Sequence, residues 1–274
     1  MSVLLARLGA RVAEFHPYTW KLAWTVVRRL PFLLPHDKSY NALRHFIALK
    51  PNGLFLDVGA NDGISALSFR RFDRNYRILS LEPNRLLEPS LKKIKAGDPH
   101  FDYLMVGAGS EPAHVQFHVP VYRGVVLHTF TSSSLAHARS ALARTFGSSV
   151  AVAANIDSVE GKIVRVDDLR IDPTIVKVDA EGFNYDVLLG AVETIARSRP
   201  FVVVEIEATE ADYMKSYFEE RRYVIVGYDI VQDKFYSAGE ARYSDRSGDR
   251  NFFAIPDEML SNLPWASPLR AADI

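Results

Sequence analysis

Apolar positions along the chain fall into short continuous runs separated by stretches of helical period. Residues 54–58, 76–81, 101–106, 174–178 and 201–206 are nearly unbroken runs of Leu, Ile, Val, Phe and Tyr, the pattern of strands buried on both faces. Helix-compatible segments follow several of them, at 84–96, from 182 through 196 and at 209–221, and two more strand-like runs lie at 223–228 and 251–255. Regular alternation with short connections predicts an α/β chain: a Rossmann-like, mostly parallel seven-stranded sheet with helices on both faces and one antiparallel edge. Residues 111–172 break the rhythm. There 115–121 alternates like a half-exposed strand, 129–134 is polar, 140–146 is helical and 162–166 returns to strand. An insertion of that size between sheet elements is where an enzyme builds substrate walls.

Ahead of the sheet, residues 1–37 mix Arg7, Arg11, Lys21, Arg28 and Arg29 with Leu, Val, Phe and Trp. The pattern predicts two amphipathic helices, broken near Pro17 and ended by Pro31 and Pro35, followed by a helix at 39–49. Such a segment either caps its own domain or lies on a membrane surface or partner chain. The expected division is a helical extension or cap at 1–50, a Rossmann-like domain at 51–260 with an insertion at about 111–172, and a tail at 261–274.

Composition narrows the function classes. Thirty-three basic and 33 acidic residues cancel, so no charge excess announces a nucleic acid. With no cysteine in 274 residues, disulfides, zinc–thiolate sites and cysteine nucleophiles are excluded together. No uncharged run approaches the ~20 residues of a bilayer span, and no clean signal peptide is present. A cytoplasmic protein, with membrane-peripheral contact through residues 1–35 as a variant, is the expectation.

The candidate chemistry collects at strand tips. Asp57 closes the first strand, and Gly59, Asn61 and Gly63 follow at alternate positions before a helix begins. Glycines there admit positive φ and close ligand approach, while first-turn N–H groups attract polar groups. Asp57 suits a ligand carrying an amine. Glu82, about twenty residues on, stands where open α/β sheets hold a ribose diol, and small residues from Gly107 onward would let an adenine ring lie against the backbone. A dinucleotide fingerprint would need glycine where Asn61 stands. The Asp57-to-Gly63 run instead resembles the nucleoside loop of Rossmann-like methyltransferases, whose ligand is S-adenosyl-L-methionine. Further along, Asp179 and Glu181 sit at i and i+2 after the strand at 174–178, and Glu205 ends the next strand. Carboxylates crowded at central strand tips call for a cation, a hydroxyl substrate or a polar partner. His114, His118, His128 and His137 have no metal-ligand spacing; of these, His128 or His137 could face a substrate.

The run Lys177-Val178-Asp179-Ala180-Glu181-Gly182-Phe183, followed by Val187-Leu188-Leu189-Gly190-Ala191, resembles the signature of the FkbM family of S-adenosylmethionine-dependent methyltransferases. Asp57-Val58-Gly59-Ala60-Asn61-Asp62-Gly63 resembles its cofactor motif, and Glu82-Pro83-Asn84, Val166-Asp167-Asp168-Leu169, Glu205 and Asn251-Phe252-Phe253-Ala254-Ile255-Pro256 fall in the family's order. The resemblance covers roughly residues 55–256. It departs at Ala180, where the family commonly has Val, and at Asn61-Asp62, where it commonly has Asn-Ile. It implies O-methylation of a hydroxyl on a sugar, polyketide or related metabolite, a small molecule or glycan, with Asp57, Gly59, Asn61, Gly63, Glu82 and Gly107 on the cofactor. Asp179, Glu181 and Glu205 are the catalytic candidates: Asp179 as base or, together with Glu205, as ligand of a divalent ion such as magnesium. Two rivals stay open, an NAD-dependent oxidoreductase on a Rossmann fold and a non-catalytic membrane-associated binding protein.

Overall fold

The computed structural model describes residues 35–180, 182–206, 210–237 and 251–265. Its frame is a mixed eight-stranded sheet. A 3-10 turn at Lys38–Ala42 and helix α1, Leu43–Leu49, precede strand β1, Leu54–Val58. Helix α2, Ile64–Phe69, leads to β2, Arg77–Leu81, and helix α3, Glu88–Gly97, to β3, Phe101–Leu104. After the insertion come β8, Ile175–Val178, helices α6, Asn184–Leu189, and α7, Val192–Ser198, and β9, Phe201–Glu205. Helix α8, Ala211–Glu219, β10, Tyr223–Asp229, β11, Lys234–Ser237, and β12, Asn251–Pro256, complete the sheet in the order β11-β10-β12-β9-β8-β1-β2-β3. Strands β3, β2, β1, β8 and β9 run parallel.

Two sheet expectations are corrected. The strand count is eight, because β11 folds back on β10 as a hairpin; four residues with one fully buried side chain, Phe235, carry little pattern in the sequence. The antiparallel strand is not an edge: β12 inserts between β9 and β10 and is antiparallel to both. The segment after residue 182 forms two helices instead of one, broken where Gly190 passes so close to Gly109 that a Cβ would lie 2.0 Å from the Gly109 carbonyl oxygen.

Side-chain alternation divides the core into two layers, one on each face. Leu56, Val58, Val176, Val178, Val202 and Val204 pack under α6, α7 and α8, through Leu188, Ile195 and Met214 among others. Phe55, Ile175, Phe201, Val203 and Phe253 pack under α1, α2 and α3, through Phe46, Phe69 and Leu91. Phe46 stacks on Phe201 at 4.3 Å and 8°, which fixes the expected helix at 39–49 to the sheet. By the same parity, Asp57 and Lys177 project to the second face, where apolar neighbours give way to acids and hydroxyls.

The insertion forms its own sheet, which periodicity only hinted at. Strands β4, Gly107–Ala108, β5, Ala113–Tyr122, β6, Val125–Val126, and β7, Asn155–Val164, run in the order β4-β7-β5-β6. Helices α4, Leu135–Phe146, and α5, Ser148–Ala153, close one end over Leu127, Leu142 and Val150. Ser134 starts α4 by accepting from the His137 N–H at 3.3 Å, the usual role of a serine N-cap.

Candidate active site

Strands β1, β2 and β8 deliver their carboxyl ends to one crevice, which the segment after β3 joins at Gly107. The loop after β1 hooks onto the end of β2, with the N–H groups of Gly59 and Ala60 both donating to the Leu81 carbonyl at 3.1 Å. Gly59 is at φ +75°, and a Cβ there would meet the Asp179 carbonyl oxygen at 1.8 Å. No other residue type fits between the two strand tips. Gly63, at φ +86°, starts α2; it does not line the cleft but turns the chain beneath it.

The cleft, about 780 Å³ counted to its open mouth, is lined by Gly59, Asn61, Glu82, Pro83, Asn84 and Asp179 from the main sheet side. The insertion contributes Gly107, Phe117, His128, Thr131 and Ile163. Glu82 is 7% exposed. Its two oxygens accept from the N–H groups of Asn61 and Asn84, each at 2.8 Å. Burial pushes its carboxyl up to about 7, although those two bonds and the Lys177 charge pull the other way. Around it, Asn61 Oδ1, Asn84 Nδ2 and Thr131 Oγ1 are buried without a hydrogen-bond partner among the described residues. Buried polar atoms are rarely left so. They offer an acceptor and two hydrogen-bonding groups to whatever enters. Pro83, Leu87, Ala108, Phe117 and Ile163 supply the apolar remainder, the mixture expected of a small-molecule site.

Asp57 is placed otherwise than as a ligand contact. It is fully buried and absent from the lining. Ser65 Oγ donates to its Oδ2 at 2.5 Å and Ser80 Oγ at 3.1 Å, and the Lys177 ammonium lies 3.4 Å from Oδ1. The amine expected beside Asp57 is therefore a side chain of the protein. Lys177 is its cross-strand neighbour, a pairing invisible until β1 and β8 are known to be adjacent.

Of the three expected catalytic acids, Asp179 lines the cleft, with its Oδ2 3.2 Å from Lys177 Nζ. Glu205 does not line it: it sits opposite Asn251 in register. Its carbonyl accepts from Asn184 Nδ2 at 3.0 Å, while Asn184 Oδ1 accepts from the Ala180 N–H at 2.7 Å. Asn184 thus braces the tips of β8 and β9. Glu181 lies outside the described residues. Among the described residues no three His, Cys, Asp or Glu side chains gather as a metal site, and the Asp179–Glu205 pair is not assembled in the cleft. Sequence reasoning passed over Asp62, whose Oδ2 lies 3.5 Å from His128 Nε2 at the cleft wall. The signal was present as a polar residue inside a loop otherwise made of small residues.

An open α/β sheet whose strand tips enclose an acid at β2, a glycine loop at β1 and an insertion wall puts its crevice where such sheets hold their ligands. The family model of the methyltransferase FkbM domain matches residues 57–228, and the chain belongs to that family of methyltransferases. Among solved structures it is similar to methyltransferase FkbM from Methylobacillus flagellatus KT, at 14% identity and TM-score 0.47 over 85% of this chain and 60% of that one. It is also similar to precorrin-6y C5,15-methyltransferase from Geobacter metallireducens GS-15, at 14% identity and TM-score 0.39 over 81% and 88%. The chain thus spans about 60% of the length of the first. No curated protein matches the sequence.

Proposed function

We propose that the protein transfers a methyl group from S-adenosyl-L-methionine to a hydroxyl of a sugar, polyketide or related small metabolite. The observation that supports this most is the buried Glu82 carboxylate at the tip of β2, in one cleft with Asn61 and Asn84, whose Oδ1 and Nδ2 respectively are buried without a partner among the described residues. That set suits a ribose and its base. Glu82 would accept from the ribose hydroxyls, Pro83, Leu87, Gly107, Ala108 and Ile163 would flank the adenine, and the loop from Gly59 to Asn61 would hold the remainder. When bound, S-adenosylmethionine supplies a methyl group already activated on a sulfonium.

The chain's own task is then alignment and removal of one proton. Asp179 is the candidate base for the acceptor hydroxyl, since of the catalytic candidates among the described residues it is the one that lines the cleft. His128 is the second reading, favoured by the Asp62 carboxylate beside its ring, an arrangement that orients an imidazole for proton transfer. The lining among the described residues contains no lysine or arginine, which favours a neutral hydroxyl acceptor over a phosphate or carboxylate. No described helix is long and apolar enough to cross a membrane. Residues 1–34 lie outside the described residues; a cap or membrane-surface role for residues 1–35 stays within the proposal. Co-sedimentation with liposomes, full chain against a chain lacking residues 1–35, tests it.

Calorimetric titration with S-adenosylmethionine and with NAD separates the donor reading from the oxidoreductase rival. Micromolar binding of the first and none of the second is expected. Binding of NAD alone would replace this reading with the rival.

A further inference from the structure

Lys177 is 5% exposed and belongs to no step described so far. Its ammonium donates to the Gly59 carbonyl at 3.0 Å and faces Asp179 Oδ2 at 3.2 Å and Asp57 Oδ1 at 3.4 Å. Gly59 and Asp179 line the cleft on either side of it; Asp57 lies behind. A buried ammonium is costly unless neighbouring anions compensate it. Here burial pulls the Lys177 ammonium down, but Asp179 and Asp57 outweigh it and hold it above the usual lysine range.

We propose that Lys177 is a positioning residue that ties the β1 loop to the tip of β8 and cancels Asp57, leaving one net negative charge at the methyl-donor end of the cleft. Two carboxylates and one ammonium sum to that charge. Among the described neighbours, burial holds His36 down in its neutral form and keeps the Tyr40 hydroxyl protonated, while Glu82, ionised above pH 7, adds to the negative charge at the other end of the cleft. S-adenosylmethionine carries a net positive charge, and its demethylated product, S-adenosylhomocysteine, carries none. The cleft therefore prefers the donor to the spent product through charge alone, so product leaves as transfer erases the sulfonium. This rests on the donor reading above.

The test measures affinities for both ligands calorimetrically at pH 8, where Glu82 is ionised, in the full chain. Asp179→Asn, at a half-exposed position that tolerates change, should weaken the donor relative to the product by about threefold to tenfold, the effect of one unit charge across a partly wet cleft. The double variant Asp57→Asn with Lys177→Met deletes a neutral pair and the tie. It should weaken both ligands together and keep the wild-type ratio. A ratio that stays within twofold of wild type in Asp179→Asn, or that falls equally in the double variant, overturns the charge argument. Should the double variant not fold, Asp179→Asn decides alone. If the wild type binds neither ligand, the donor reading itself fails and takes this inference with it.

Discussion

The Glu82 carboxylate accepts from the backbone N–H of Asn61 at 2.8 Å, so the acid that ends β2 also holds the loop that ends β1. Two parts of the proposed donor site are thereby one unit. Replacing Glu82 with Ala should weaken S-adenosylmethionine by on the order of 1 to 3 kcal/mol, the scale of hydrogen bonds to a charged group. Unchanged affinity in the folded variant would remove the ribose assignment.

The same residue predicts a pH dependence. Because burial raises the Glu82 carboxyl from 4.5 to about 7 in the folded protein, the folded state binds more protons than the unfolded one between those values. Its contribution to stability is therefore greatest below pH 4.5 and is lost as pH rises through 7. Donor affinity should run the opposite way, improving from pH 6 to pH 8 as the acceptor form is populated. Titration at three pH values checks this, and Glu82→Gln should flatten the profile.

Gly59→Ala should fail twice over. A Cβ would press on the Asp179 carbonyl and the backbone would be held at φ +75°, so the loop must shift away from β8. Loss of at least about tenfold in donor affinity, with a lower melting temperature, is expected. A variant with wild-type affinity would show that the strand tips are free to separate.

Asp179→Asn and His128→Gln compete for the proton. With an acceptor found by labelled methyl transfer, the variant of the true base should lose ~100-fold or more in turnover, beyond any effect on donor affinity. Because Glu205 stands outside the cleft and Asp179 faces Lys177, turnover should persist in EDTA. Loss restored by magnesium would instead make Asp179 an ion ligand.

Phe46→Ala should destabilise the protein by about 3 to 5 kcal/mol, since its ring is fully buried against Phe201, Phe235 and Phe253. Chemical denaturation reads this directly. A change under 1 kcal/mol would show that α1 is a dispensable cover.

How much of this was legible beforehand depends on whether a feature is local. The runs at 54–58, 174–178 and 201–206 became β1, β8 and β9 because both faces of each are covered, and burial on both faces leaves an unbroken apolar signal. Glu82 could be placed because a strand tip is a local position. What could not be read was the identity of cross-strand neighbours. Asp57 looked like a ligand contact until Lys177, 120 residues later, proved to be its partner, and Glu205 looked central until β12 covered its edge. In the insertion the strands at 115–121 and 162–166 were legible as β5 and the end of β7, but the hairpin strand β11 and the full length of β7 escaped for a different reason: half-exposed strands alternate weakly, and β7 begins at Asn155 although only its last residues carry an apolar run.

Gly161 on β7 sits so near Pro83 that a Cβ there would come within 2.7 Å of the proline ring, and Ile163 presses on Gly107 just as tightly. The insertion is therefore packed against the loop that carries the proposed adenine slot, and through Phe117, His128 and Thr131 it also walls the rest of the same cleft. Exchanging it for the corresponding segment of a relative to obtain a new acceptor would disturb the donor as well, unless Phe117, Gly161 and Ile163 were kept in place. Change of acceptor should come most readily from the stretch around His128 to Ser133, which lines the cleft and contains none of those three residues.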